Sequence, residues 1–139
     1  MFRERLRVDP FTASAAELES IARAHVDAGN LSGDRDLWLD VLMSHVLEPQ
    51  LGVGGICLLY DYPASQAALS RIVASEDVLV GQRFEVYVDG LELANGYCEL
   101  DDAAQQRQRF ERDNAVRAGR GQRERPLDEY LLAALAHGL

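Results

Sequence analysis

The chain has 139 residues, of which 47% are hydrophobic and 27% charged, a size and balance that fit one folded domain and exclude wholesale disorder. All fourteen basic residues are arginine and twenty-three residues are acidic, so the net charge is −9 and the chain as a whole repels nucleic acid. The absence of any apolar run near eighteen residues, the polar start MFRERLRVDPF and a complement of only two cysteines, Cys57 and Cys98, exclude a membrane span, a signal peptide and a disulfide framework, and point to the cytoplasm.

The first element follows the turn-forming Asp9-Pro10. Ser14 with Glu17 three residues later is a capping-box pattern, and Leu18, Ile21 and Ala22 recur at helical spacing up to Gly29. A second helix is expected from Asp34, with acid in its first turn, to the residue before Pro49, carrying Leu37, Val41, Leu42 and His45 on one stripe. His45 reads as a packed or surface residue, and His25, His45 and His137 show no metal-ligand spacing with the cysteines.

The glycines of LGVGGI lack the lysine and hydroxyl of a phosphate loop and read as a turn before a strand, GICLLYDYP, which ends at Pro63. ASQAALSRI is small and polar enough for a surface loop or a short helix. Two strands joined by Asp89-Gly90, a strong hairpin signal, then make up RFEVYVDGLELANGYCEL, residues 83–100. A long polar helix from Asp102 to Ala118, closed by Gly119, and a terminal helix opened by Pro126 and Asp128 complete a mixed α/β fold of the α+β type. Seven arginines, from Arg107 to Arg125, read as a solvated helix with its trailing loop, or as a local binding surface.

The hairpin carries the candidate chemistry. With Asp89 and Gly90 at the turn, Val88 faces Leu91, Tyr87 faces Glu92, Val86 faces Leu93 and Glu85 faces Ala94. Alternation then puts valines and leucines on one face and Glu85, Tyr87 and Glu92 on the other, the two carboxylates being diagonal neighbours. At about 6 Å such a pair repels by roughly 3 kcal/mol at an effective dielectric constant of 20, which favours a bound cation such as magnesium. The same pattern suits an edge hairpin carrying charge on its wet face, or an acid and base for glycoside cleavage. Asn95, Tyr97 and Glu99 share the parity of the apolar face, so a bulge between Leu93 and Tyr97, with Gly96 as its device, is expected to re-aim them and to bring Glu92 and Glu99 toward one cavity. A carboxylate, an amide and an aromatic ring would together seat an ammonium group.

RFEVYVDGLELANGYCEL resembles the strand pair of class II lysyl-tRNA synthetases and of the shorter elongation factor P lysine ligases related to them. DDAAQQRQRFERDNAVRAGRG resembles the helix that follows in both, and YDYPASQAALSRI the segment upstream, with PASQAAL nearer to the ligases. The resemblance implies part of a class II synthetase catalytic domain, with antiparallel sheet and flanking helices, over residues 1–139. It implies ATP and Mg2+, with Glu92 and Leu93 at the nucleotide and Glu85 and Glu92 at the metal. Glu99, Asn95 and Tyr97 correspond to residues around lysine or β-lysine; phenylalanine is usual at Tyr97 and histidine or serine at Cys98.

No side-chain nucleophile is implied, because the substrate carboxylate attacks ATP to give an aminoacyl adenylate, which is then transferred to elongation factor P or, in the synthetases, to tRNA. A homodimer is implied for the intact enzyme. Two arginine motifs of the class, one upstream of the matched region and one with a Gly-x-Asp-Arg core downstream, have no counterpart in these residues, so the chain reads as the interior of a catalytic domain. A non-catalytic remnant serving as an interaction module is the other reading.

Overall fold

The computed structural model describes residues 1–138. In chain order the regular elements are α1 (Phe2–Arg5), α2 (Ala15–His25), α3 (Arg35–Leu42), β1 (Cys57–Pro63), β2 (Ile72–Ser75), β3 (Val78–Val88), β4 (Leu91–Tyr97), α4 (Ala103–Gly119) and α5 (Glu129–His137). The architecture is the expected one, helices flanking an antiparallel sheet. None of the described helices is long and apolar enough to cross a membrane.

Side-chain caps start α2 and α3. Ser14 Oγ accepts from the Glu17 N–H at 3.2 Å and Asp34 Oδ1 from the Leu37 N–H at 3.0 Å, each satisfying a donor that has no partner within its helix. α2 ends at His25, short of Gly29, because Val26 is already extended and Arg23 ties the departing loop back through the carbonyls of Gly29 and Leu31 at 3.0 and 2.6 Å.

The buried stripe of α3 is Trp38, Leu39 and Leu42 rather than Leu37, Val41, Leu42 and His45. The indole claims the inward position, Leu37 and Val41 flank it, and His45 is exposed. Beyond Leu42 the helix widens to a π-turn (Met43–Leu47), in which Glu48 N–H reaches Met43 O, and tightens to a 3-10 turn (Glu48–Gln50). Pro49 has no N–H and its ring crowds the carbonyl four residues back, so the ordinary ladder cannot pass through it. The main apolar core, built on Leu6, Leu18, Trp38, Leu39, Leu42 and Leu47, belongs wholly to this helical half.

In the sheet β3 is central. β1 runs along one side of it, while β2 and β4 share the other side, against its first and second halves. The segment expected to be a loop or short helix opens with a 3-10 turn (Ala64–Gln66), and β2 begins at its last residue, Ile72. Its connection to β3 turns at Glu76 with φ 51°, a backbone usually marked in sequence by glycine or asparagine. The β3–β4 turn has φ of 47° at Asp89 and 77° at Gly90, the type I′ geometry that the dipeptide signals.

Val88–Leu91 and Tyr87–Glu92 pair as expected, but the next pairs are Val86–Ala94 and Glu85–Asn95. Leu93 is therefore the extra residue of a β-bulge, at the start of the expected interval and not at Gly96. Gly96 lies opposite Phe84, where an added Cβ would sit 2.6 Å from the Phe84 ring; it makes room for that ring.

The sheet is inverted relative to a simple amphipathic hairpin. On its outer face Leu58, Tyr60, Phe84 and Leu91 are between 41% and 66% exposed, whereas Glu85 (7%) and Tyr87 (1%) on the inner face are buried. A wet edge hairpin therefore does not describe Glu85.

The arginine run is largely consumed within the fold. Arg107 holds Glu129 of α5 through bonds of 3.0 and 2.6 Å, Arg109 donates to Ala68 O, and Arg120 pairs with Asp34 at 3.0 Å.

Candidate functional site

The Leu93 bulge sets up the site. Because it adds one residue to β4, the side chains that follow exchange faces, and Asn95 and Tyr97 join Glu92 on the inner face opposite Glu85, Arg83 and Tyr87. Their amide and phenol ring would otherwise lie among the outer leucines and valines. Asn95 Nδ2 donates to Glu92 Oε1 at 2.8 Å, so the amide orients the carboxylate.

Behind these groups lies a buried polar network. Arg83 forms an ion pair with Glu85, donates to Gln66 O at 3.1 Å, and stacks over the rings of Tyr62 and Tyr97 at 4.1 and 5.5 Å. The second oxygen of Glu85 accepts from the Tyr87 hydroxyl, which also lies 3.1 Å from Glu48 Oε1. Burial and then the Glu85 carboxylate push the phenols of both Tyr62 and Tyr87 upward, since each disfavours a phenolate. Tyr62 Oη and Arg83 Nε are buried without a hydrogen-bond partner, which marks this wall as unusually polar for a protein interior.

A cavity of about 970 Å³ opens between this wall and the helical half. Tyr62, Arg83, Glu85, Tyr87 and Glu92 line its sheet side, while Phe2, Phe11, Leu39 and Met43 supply an apolar side. Its volume lies within the range of small-molecule sites.

Of the residues read from the sequence, Glu85 and Glu92 line this cavity, and Asn95 and Tyr97 share their sheet face. Leu93 occupies the bulge and is exposed. Glu99 lies outside the cavity lining, exposed beyond the end of β4, bridged to Ser70 through its backbone, with its carbonyl accepting from Arg71 Nε at 3.1 Å. Arg83, Tyr62 and Gln66 were not singled out in the sequence. Arg83 had a signal, an arginine on the same parity as Glu85 in a strand, whereas Tyr62 and Gln66 come from another strand and a turn.

Among the described residues no group of three or more histidine, cysteine or carboxylate side chains could hold a metal unaided. The site offers two carboxylates, Glu92 exposed and Glu85 braced by Arg83 and Tyr87. That donor set fits magnesium, which takes one or two carboxylates and completes its octahedron with waters and phosphate oxygens.

The family of tRNA synthetases class II (D, K and N) matches residues 51–139, the entire sheet with the two C-terminal helices. This chain belongs to the class II tRNA synthetase family. Among curated relatives, the elongation factor P–(R)-β-lysine ligase of Edwardsiella ictaluri is 48% identical over 141 residues, covering 99% of this chain and 43% of the relative. The ligases of the same name from Sodalis glossinidius and Salmonella paratyphi B are each 45% identical, over 100% and 99% of this chain respectively and 43% of the relative. This class II synthetase chain thus spans less than half the length of those ligases.

Proposed function

We propose that this chain forms the substrate-binding part of a class II catalytic domain that joins lysine or β-lysine to ATP as an aminoacyl adenylate and passes it to elongation factor P. The observation that supports this most is that Glu85 and Glu92 line a large cavity on a sheet face that the Leu93 bulge lets Asn95 and Tyr97 share, in a chain of this family. The names of the relatives supply the acceptor and the amino acid.

In this reading Glu92 and Glu85 hold magnesium, which when bound would screen the triphosphate as the substrate carboxylate approaches. Arg83 and Tyr87 hold the Glu85 carboxylate in place, so the metal would meet a rigid ligand. Leu93 lies against the nucleotide. Asn95 and Tyr97 border the amino acid, and Glu99, which lies outside the cavity lining, is assigned its terminal ammonium by the family resemblance alone. The residues position and neutralise; none acts as a nucleophile. Two free thiols fit a cytoplasmic setting.

Calorimetric titration of the chain with magnesium, ATP and either lysine or (R)-β-lysine tests the reading. Saturable nucleotide binding that requires magnesium is expected, together with amino-acid binding that Glu99→Ala weakens by roughly thirty-fold to several thousand-fold, the range for stranding a charged partner. No binding of nucleotide or amino acid, or amino-acid affinity indifferent to Glu99→Ala, would contradict it.

A further inference from the structure

The run of arginines is not fully spent within the fold. Arg107, Arg109 and Arg120 are held by Glu129, Ala68 and Asp34, whereas Arg112 and Arg125 are exposed and form no ion pair among the described residues. The loop that carries Arg125 is pinned through its backbone. Asn114 Nδ2 donates to Arg125 O at 2.7 Å, Asn114 Oδ1 accepts from the Arg125 N–H at 2.9 Å, and Arg117 Nε donates to Arg123 O at 3.0 Å. These arginines border a second cavity, of about 670 Å³, between α3, α4 and the loop before α5. Asp34 and Asp128 at that end are taken up as helix caps, and Asp34 also by Arg120, which leaves Asp113 as the one other carboxylate against Arg112, Arg117 and Arg125. The opposite end reverses the sign. Asp36, Asp40 and Ser65 line both this cavity and the one against the sheet, so the two adjoin there. Asp36 is engaged by Ser65 at 2.7 Å and by Arg35 at 3.5 Å, but the Asp40 carboxylate receives only the neutral amide of Gln66, at 2.6 Å.

We propose that this path, from the arginines to Asp40, is the docking groove of the protein acceptor: an acidic patch of that partner rests on Arg112 and Arg125, and a lysine near the patch passes Asp40 into the cavity. The inference rests on transfer to a protein acceptor, as read above, and adds where that acceptor sits. An activated carboxylate joins a protein stably through an amine, and lysine is the side chain that offers one. A partner with an anionic patch and a protruding ammonium matches both poles of the groove, and such complementarity fixes register and speeds encounter more than it tightens the complex. A nucleic acid fits less well, because its phosphates would have to pass Asp36 and Asp40 in a chain of net charge −9. A second copy of the chain carries the same net charge and is repelled.

Fluorescence anisotropy of labelled elongation factor P from Edwardsiella ictaluri, titrated with the 139-residue chain at low and high salt, tests the groove. Saturable binding that salt weakens is expected, and Arg112→Glu with Arg125→Glu should weaken the low-salt complex roughly tenfold or more and flatten its salt dependence. Should that pair lower the melting temperature, Arg112→Gln with Arg125→Gln gives the same comparison without charge reversal. Asp40→Asn should keep the salt response but erase the several-fold preference expected of the parent for the factor over its lysine-acetylated form. No binding, or affinity unchanged in both arginine pairs, overturns the inference. So does a transfer RNA that binds more tightly than the factor and is lost with the same arginines, or a dimer of the chain that they break. Magnesium-dependent nucleotide binding, measured on the same samples, separates this inference from the adenylate reading, because the arginine variants should retain it. Nucleotide binding in a chain whose grip on the factor ignores Arg112 and Arg125 overturns the groove alone; a parent that binds the factor through those arginines but no nucleotide overturns the adenylate reading alone.

Discussion

Glu85 stands directly opposite Asn95 on the neighbouring strand, and this pairing exists because Leu93 is accommodated as one unpaired residue between Glu92 and Ala94. The bulge lets a strand that begins with Leu91 facing outward finish with an amide and an aromatic ring on the inner face, opposite Glu85 and Arg83. Deleting Leu93 should therefore keep the Asp89–Gly90 turn but return Asn95 and Tyr97 to the outer face. Nuclear Overhauser contacts between the Tyr97 ring and the Arg83 side chain, 5.5 Å apart at centroid and guanidinium carbon, are expected in the parent and absent from the deletion variant. Their persistence would mean that something other than the bulge orients Tyr97.

The two carboxylates differ in what they do for the fold. Glu85 is buried in an ion pair with Arg83 and bonded to Tyr87, while Glu92 is exposed. Glu85→Ala strands a nearly buried guanidinium and should cost about 3–5 kcal/mol, whereas Glu92→Ala should change stability by about 0.5 kcal/mol or less. Urea denaturation of both variants checks this; equal losses would show that Arg83 is satisfied without Glu85.

Local signals gave the hairpin and the caps. Asp89-Gly90 named its turn type, and Ser14 and Asp34 named their helix starts, because each is decided within four residues. The exchange of faces was expected from parity alone, since an asparagine and a glutamate do not sit comfortably among valines. It falls at Leu93, the first residue of the expected interval, and Gly96, which looked like the flexible point, instead admits the Phe84 ring. The strand after Arg71 was missed because its turn puts Glu76, not glycine, at positive φ. Which sheet face is buried is a property of the whole assembly, and no local pattern states that the helices cover the polar face. For the same reason the Arg83 network, joining Gln66 to Glu85 across the chain, was not legible.

Asp40 offers a test through pH. Its carboxyl is held above the ordinary value of 3.8, first by burial and then by Asp36 and Asp34, against a hydrogen bond from Gln66. A raised acid binds its proton more tightly when folded, so the folded state gains nothing from it below both its folded and unfolded values. It loses stability as pH rises from about 3.8 through the raised value, and keeps that loss at neutrality. Asp40→Asn preserves an acceptor for Gln66 and removes the charge. Its melting temperature should exceed that of the parent at pH 7 and converge with it below about pH 3.8. A variant no more stable at pH 7, or one whose advantage persists undiminished in acid, would contradict this assignment.

The central claim is that Glu85 and Glu92 make the inner sheet face a divalent-cation site. Manganese, which broadens nuclear magnetic resonance signals near its binding site, tests this on the 139-residue chain itself. At low manganese, signals of Glu85, Tyr87, Glu92 and Asn95 should broaden first, magnesium should restore them, and Glu92→Gln should abolish the effect. Broadening centred instead on the other acidic group, Asp34, Asp36 and Asp40, or left intact by Glu92→Gln, would contradict the account.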